Sequence, residues 1–179
     1  MKYAKELNFP RIPEELIQEV YDSLKNPCAY TTSGASIDNK NWQYDFYEPT
    51  NALNQWLVDN IQPRGPWRGF AVQTLTGDVP AHTDWPHEAT KLLYLVELGG
   101  QDIHTSWYQT KQEDFLKPAT NAGGAVVDPS LCTENNLLFR AQFETHKWYE
   151  LKVNVLHYVD NIETTRISVA TFDSIYIRK

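Results

Sequence analysis

Residues 80 to 98 read PAHTDWPHEATKLLYLVEL, in which a dense polar cluster runs directly into a strongly apolar segment. The apolar part is rich in aliphatic and aromatic residues and follows turn-forming ones, which is typical of a short buried strand. Charged and imidazole groups beside such a strand cost free energy unless something compensates them, and a bound metal ion is one such compensation. The cluster contains two histidines and two acidic residues within seven positions: His82, Asp84, His87 and Glu88.

Short segments of the same kind recur from Gly69 onward, separated by turns that contain Gly, Pro or Asn. Their spacing predicts an antiparallel all-β sandwich or barrel with two helices attached at its N-terminal side. The segments are GFAVQTL (69–75), KLLYLVEL (91–98), HTSWYQT (104–110), AVV (125–127), NNLLFRAQF (135–143), HKWYELKVNV (146–155) and TTRISVATF (164–172).

The first sixty residues have a different pattern. IPEELIQEVYDSLKN (12–26) has apolar residues at helical spacing and two glutamates in its first turn, and PTNALNQWLVDNI (49–61) predicts a second helix with Thr50 as its N-cap. The polar stretch between them, residues 28–48, indicates an irregular loop with one short strand at most. We expect a single domain over 1–179, with a helical part (1–68) and a β core (69–179).

Composition limits the classes of function. The formal net charge of −7 argues against a broad nucleic-acid surface, although Arg64 and Arg68 form either a solvated basic loop or a small anion site. The two cysteines, Cys28 and Cys132, neither prove nor exclude a bridge, and we expect free thiols. No segment has the pattern of a signal peptide or a membrane span, so we expect a soluble, cytoplasmic protein that does not associate with membranes.

The segment HKWYELKVNVLHYVDN (146–161) contains a further histidine that bears on the polar cluster. If it were one unbroken strand, His157 would share a face with Leu151 and Val153 and point to the interior. A bend around Asn154 would weaken that argument about phase. A histidine in this position is either a satisfied core residue or a metal ligand.

Arg166 and Ser168 share one face of the strand that follows. An arginine that points inward needs an anionic partner, because its guanidinium stays protonated at ordinary pH. Either Arg166 points outward or an anion binds to it. Two imidazoles and one carboxylate, as in His82, Asp84 and His157, suit a ferrous ion whose other positions stay open.

The order and spacing of HTD (82–84), HYVDN (157–161) and RIS (166–168) resemble those of the Fe(II)- and 2-oxoglutarate-dependent oxygenases. The resemblance is closest to small single-domain bacterial and bacteriophage members related to prolyl and aspartyl/asparaginyl hydroxylases, and it covers residues 69–173. It implies a double-stranded β-helix, or jelly roll, with the two N-terminal helices packed on it. The polar segment 111–135 is extended, whereas a compact member of this family would have a short connection there, and its role is open.

The resemblance also implies the roles of the motif residues. His82, Asp84 and His157 would hold iron, and Arg166 and Ser168 would bind the distal carboxylate of 2-oxoglutarate. Dioxygen would be consumed, succinate and carbon dioxide released, and a substrate hydroxylated. Asp84 disfavours halogenation, because related halogenases have a small residue at that position.

Other residues have two interpretations each. Tyr94 and Gln73 lie in neighbouring strands, and each could either reach the co-substrate or simply pack in the core or on a strand surface; we include Tyr94 among the predicted co-substrate contacts. Trp85 either lines the substrate entrance or is a loop residue. His87 and Glu88 could support the ligands, or His87 could complete a zinc site with His82 and Asp84.

Three classes of function remain at this point. The first is the oxygenase, acting on an amino acid, a peptide or a small metabolite. The second is a cupin-like or lectin-like binding module with a vestigial metal site, and the third is a structural jelly-roll protein. The sequence identifies neither the substrate nor the oligomeric state.

Overall fold

The structure is a computed structural model of the chain. It describes residues 3–35, 41–61, 69–84, 90–110, 115–118, 125–127 and 132–172. In these ranges the chain forms two α-helices and thirteen strands. They are β1 (Ala4–Leu7), α1 (Glu14–Ser23), β2 (Pro27–Ala35), β3 (Asn41–Tyr47), α2 (Asn51–Asn60), β4 (Gly69–Thr76), β5 (Val79–Thr83), β6 (Lys91–Glu97), β7 (His104–Tyr108), β8 (Phe115–Pro118), β9 (Ala125–Val127), β10 (Leu137–Ala141), β11 (Trp148–Leu151), β12 (His157–Asp160) and β13 (Arg166–Phe172).

The strands form two antiparallel sheets. The larger sheet has the order β1-β11-β6-β13-β4-β3-β2, and the smaller one has the order β10-β7-β12-β5-β9-β8. From β4 to β7 and again from β10 to β13, successive strands alternate between the two sheets. This is the strand order of a jelly roll, so the predicted mainly β fold with two N-terminal helices is confirmed.

The opening stretch KLLYLVEL reads as nearly continuous apolar sequence because β6 is buried on both faces. Leu92 and Val96 pack against the helices, whereas Leu93 and Leu95 belong to the core between the sheets. The larger sheet thus separates two apolar layers. Its inner face, toward the smaller sheet, is the one on which polar side chains near the candidate site lie.

Both helices were predicted correctly, and they cover the outer face of the larger sheet. Val20 of α1 and Leu53 and Leu57 of α2 are fully buried there. The Oγ1 atom of Thr50 accepts a hydrogen bond from the backbone N–H of Leu53, as expected of an N-cap. Neither helix in the described ranges has the length and apolarity that crossing a membrane requires.

The region between the helices differs from the prediction of an irregular loop. It contains β2 and β3, an antiparallel pair that adds two strands to the edge of the larger sheet next to β4. The segment NWQYDFY (41–47) has aromatic residues at every second position, which is the period of a strand. The helical part of the chain therefore also contributes strands to the sheet.

The segment 146–161 is not one unbroken strand. It is interrupted around Asn154, where the sequence analysis considered a bend. It forms β11 in the larger sheet and β12 in the smaller one, and residues 152–156 pass between them. Hydrogen bonds fix this passage: the indole Nε1 of Trp107 donates to the carbonyl of Lys152 at 2.8 Å, and Tyr108 N–H donates to Leu156 at 2.9 Å.

Part of the polar segment 111–135 extends the smaller sheet. The strands β8 and β9 pair with each other, and β9 pairs with β5 so that Val126 lies opposite His82. The rest of the segment up to residue 131 lies outside the described residues, so its role stays open.

Candidate metal centre and anion pocket

Three potential metal ligands meet on the smaller sheet. His82 lies in β5 and His157 begins β12; the two are direct cross-strand partners, with ring centroids 4.4 Å apart. Asp84 follows β5, and its Oδ1 lies 3.5 Å from His82 Nε2. One ligand atom from each of these three residues lies within 4.8 Å of the others, so the group could hold one metal ion.

His157 is held in a form that suits coordination. Its Nδ1 lies 2.9 Å from the carbonyl oxygen of Val155, and a carbonyl can only accept, so Nδ1 carries the proton. The pKa of His157 is lowered to about 4, mainly by burial and in part by the neighbouring His82. At neutral pH the ring is therefore neutral, and Nε2 offers its lone pair.

Asp84 is ionised although its side chain is only 25% exposed. Burial alone would raise its pKa, but the Lys91 ammonium, 4.0 Å from Oδ2, and the hydrogen bond with His82 hold the pKa below its usual range. The backbone N–H of Asp84 donates to the carbonyl of Val153 at 2.9 Å. The segment between β11 and β12 thus holds the backbone of Asp84 in place.

Arg166 points inward. It is the first residue of β13, only 6% of its surface is exposed, and it shares the inner face with Ser168. No carboxylate among the described residues lies within ion-pair distance of it. Burial lowers the pKa of Arg166 to about 10, which still leaves the guanidinium charged at neutral pH. A buried cation without an anion is costly, and a bound anion would remove that cost.

Two more polar side chains lie beside Arg166. Ser168 is buried, and its direct partner across β4 is Gln73. Gln73 is 1% exposed; its Oε1 accepts a hydrogen bond from the Tyr44 hydroxyl at 2.6 Å. The Gln73 Nε2 atom is buried and has no hydrogen-bond partner among the described residues.

Tyr44 connects the metal group with the anion pocket, which we define as Arg166, Ser168 and Gln73. Burial raises the pKa of the Tyr44 hydroxyl; the nearby Lys91 and Arg166 cations lower it, and the Asp84 carboxylate raises it. The hydroxyl is thus within electrostatic range of both groups. The metal ligands come from the smaller sheet, and the anion pocket comes from the larger one.

The structure does not bring Tyr94 to this site. Tyr94 is fully buried among the residues that face the helices, on the outer side of β6, whereas Arg166 and Ser168 lie on the inner side. Its hydroxyl lies 3.5 Å from His146 Nδ1 instead. Because strand side chains alternate between faces, Tyr94 cannot reach the anion pocket, and we remove it from the co-substrate contacts.

Two residues of the site were missed in the sequence. Both residues, Lys91 and Tyr44, lie in strands in which side chains alternate between the two faces. Lys91 lies two and four positions before the inward-facing Leu93 and Leu95, and Tyr44 lies two positions before Phe46, so the sequence already placed each on the same face as those residues. Several residues considered in the sequence lie outside the described ranges: Arg64, Arg68, Trp85, His87 and Glu88.

No protein-family model matches this sequence, and no curated protein matches it. Among solved structures the chain is similar to ycfD from E. coli, with a TM-score of 0.46 and 16% identity over 96% of this chain and 50% of ycfD. It thus spans about half the length of that protein. Two further similar structures are Peruvianin-I, a cysteine peptidase from Thevetia peruviana latex (TM-score 0.38, 14% identity, 92% of this chain and 79% of that one), and a cupin-like protein from Thermotoga maritima (TM-score 0.33, 12% identity, 83% and 80%). We draw no functional conclusion from likenesses at this level.

Proposed function

We propose that this protein is a non-haem Fe(II)- and 2-oxoglutarate-dependent dioxygenase that hydroxylates an amino acid, a peptide or a small metabolite. The observation that carries the proposal is the buried Arg166, which has no carboxylate partner among the described residues. The Tyr44 hydroxyl is within electrostatic range of both Arg166 and Asp84, and Asp84 belongs to the group with His82 and His157 that could hold a metal. A metal site alone would leave that cation unexplained. A metal site with a dicarboxylate accounts for both.

The donor set suits iron. Two imidazoles and one ionised carboxylate could hold one side of a divalent ion and would leave its remaining positions for other ligands. The hydrogen bond from His157 to the Val155 carbonyl fixes the ring so that Nε2 is the available nitrogen. The pair of Asp84 with Lys91 keeps the carboxylate charged.

The anion pocket suits the distal carboxylate of 2-oxoglutarate. Arg166 supplies a forked, charge-assisted donor, and Ser168 can add a hydroxyl hydrogen bond. When bound, iron and 2-oxoglutarate supply the oxidative chemistry, with dioxygen consumed and succinate and carbon dioxide released. The chain's own contribution is to hold the dicarboxylate and to orient the ligands.

Two other interpretations remain testable. A zinc site formed by His82, Asp84 and His87 would leave His157 without a role, although His157 belongs to the group that could hold a metal. A cupin-like binding module or a structural protein with a vestigial site would have no use for the buried Arg166. Binding of 2-oxoglutarate to the metal-loaded protein distinguishes the oxygenase from both of these interpretations, because only the oxygenase requires it.

The decisive experiment is an anaerobic titration of metal-free protein with Fe(II) and then 2-oxoglutarate. We expect a weak visible absorption band from the iron chelate, saturating with one equivalent of 2-oxoglutarate. Succinate release after admission of air, with candidate amino acids and peptides, would then identify the substrate. Absence of both the band and of 2-oxoglutarate binding in the folded wild-type protein would refute the proposal.

A matched pair of variants assigns the anion pocket. Arg166→Ala should retain metal binding and lose 2-oxoglutarate binding. Arg140→Ala is the control, because Arg140 pairs with the exposed Glu134 on the smaller sheet. If Arg166→Ala lost metal and 2-oxoglutarate to the same extent, Arg166 would have a structural role instead.

A further inference from the structure

The inner face of β4 carries a polar group that neither the fold nor the metal site requires. Gln73 is almost completely buried, yet its Nε2 has no hydrogen-bond partner among the described residues. A buried amide donor without an acceptor costs free energy and is uncommon in folded proteins. The position of Gln73 therefore calls for an acceptor that the described chain does not supply.

The other end of the amide already has a partner. The Tyr44 hydroxyl donates to Gln73 Oε1 at 2.6 Å, and the Tyr44 ring packs on Phe46 with centroids 4.6 Å apart. Both aromatic residues belong to β3, which is an addition at the edge of the jelly roll. The N-terminal part of the chain thus fixes which atom of Gln73 is left for another partner.

The unpartnered donor lies beside the other donors of the anion pocket. Gln73 is the direct partner of Ser168 across the β4–β13 pair, and Leu75 is the partner of Arg166. Side chains of directly opposed residues have Cβ atoms about 4.5–5.5 Å apart and share a face. Three buried side chains with available donors therefore lie together, on two adjacent strands.

We propose that Gln73, oriented by Tyr44, is a third ligand of the distal carboxylate of the co-substrate and sets the preference for a dicarboxylate. This inference rests on the proposed function. A carboxylate offers about four acceptor sites, so it can accept from the Arg166 guanidinium, the Ser168 hydroxyl and the Gln73 amide together. A keto acid without a distal carboxylate would leave all three unsatisfied.

The test measures the binding of two keto acids by anaerobic calorimetry. The protein is first freed of metal and then reloaded with Mn²⁺. The first is 2-oxoglutarate, and the second is 2-oxopentanoate, which keeps the chelating end and lacks the distal carboxylate. Gln73→Leu should weaken 2-oxoglutarate binding by about 10- to 100-fold, the range for a hydrogen bond to a charged group. Binding of 2-oxopentanoate and of Mn²⁺ should not change.

Tyr44→Phe tests the orienting role. It keeps the ring against Phe46 and removes the hydroxyl, so 2-oxoglutarate affinity should fall less than in Gln73→Leu. The double variant should match Gln73→Leu alone, because Tyr44 acts through Gln73. Tyr47→Phe is the control: Tyr47 lies in the same strand on the other face, where its hydroxyl accepts from Thr74.

The outcomes separate this inference from the proposed function. If Gln73→Leu bound 2-oxoglutarate as tightly as the wild type, or lost both keto acids equally, the inference would be overturned while the oxygenase proposal stood. If Mn²⁺-loaded wild-type protein bound no 2-oxoglutarate, the proposed function itself would fail. Unchanged Mn²⁺ binding shows in each variant that the fold is intact.

Discussion

His82 and His157 lie directly opposite each other on adjacent strands of the smaller sheet, with ring centroids 4.4 Å apart, although they are distant in the sequence. Two imidazoles at this distance repel when both are protonated, which contributes to the low pKa of His157. The pair is therefore better suited to share a metal ion than to share protons.

Replacing Asp84 with Asn should weaken Mn²⁺ or Co²⁺ binding by at least tenfold. The substitution keeps the shape of the side chain and removes the only carboxylate of the ligand group, so the loss reflects charge. Calorimetric titration of chelator-treated protein measures it. Asp59→Asn, on the surface of α2, is the control and should bind metal like the wild type. Unchanged affinity in Asp84→Asn would remove Asp84 from the ligands.

The metal-free protein should lose stability as the pH falls from about 6.5 to about 4. In the unfolded chain His157 takes up a proton near pH 6.5, whereas in the folded protein its pKa is about 4, so acid favours unfolding across this window. The effect is absent above pH 6.5, where both states are neutral. It amounts to roughly 3 kcal/mol in total.

Urea denaturation at several pH values, with a chelator present, measures this dependence. The informative quantity is the difference between wild type and His157→Gln, since other groups also titrate in the range. The variant should lack the component assigned to His157. Identical pH profiles for the two proteins would mean that the buried environment of His157 does not hold in solution.

Arg166→Met should stabilise the ligand-free protein while abolishing 2-oxoglutarate binding. The guanidinium is buried without a carboxylate among the described residues, so an apolar side chain of similar length removes a desolvation cost. We expect a gain of about 1–3 kcal/mol in the free energy of unfolding. Arg140→Met, at a partly exposed position, should change stability by less than about 0.5 kcal/mol. A clear loss of stability in Arg166→Met would indicate that the cation is already compensated.

Gly99→Ala should disturb the start of β13. Gly99 has a φ of +85°, and an added Cβ would lie 2.9 Å from both the Arg166 Cβ and the Thr164 carbonyl oxygen. We expect a loss of about 1–3 kcal/mol in stability, together with weaker 2-oxoglutarate binding because Arg166 is displaced. Equal 2-oxoglutarate affinity in Gly99→Ala and in the wild type would contradict the displacement of Arg166.

The helices and most strands of the fold were predictable, because their patterns are local. α1 and α2 have apolar residues at helical spacing, and Thr50 caps the second helix as its position suggested. For β2 and β3 the sequence predicted no more than one short strand, since polar residues surround them and their pairing depends on β4, a later part of the chain. The alternation of Trp42, Tyr44 and Phe46 was the available signal.

The candidate site was predictable only in part. The i, i+2 spacing of His82 with Asp84 and of Arg166 with Ser168 gives each pair a common face, which sequence can show. When both faces of a strand are apolar, the local sequence does not show which face points to the space between the sheets. For this reason Tyr94 was wrongly included among the predicted co-substrate contacts. Lys91 resembles a solvated strand end in sequence; only the fold brings it to Asp84.

The passage between β11 and β12 has a consequence for biosynthesis. A growing chain that has emerged only as far as β7 already contains His82 and Asp84, but neither His157 nor the Val153 carbonyl that holds the Asp84 backbone. Such a chain offers a metal two side chains instead of three, and Arg166 follows still later. Since chains fold progressively during synthesis, a fully liganded metal ion can be bound only after nearly all of the jelly roll has left the ribosome. Nascent and truncated chains are thereby kept from assembling the three-residue metal group on an unfinished fold.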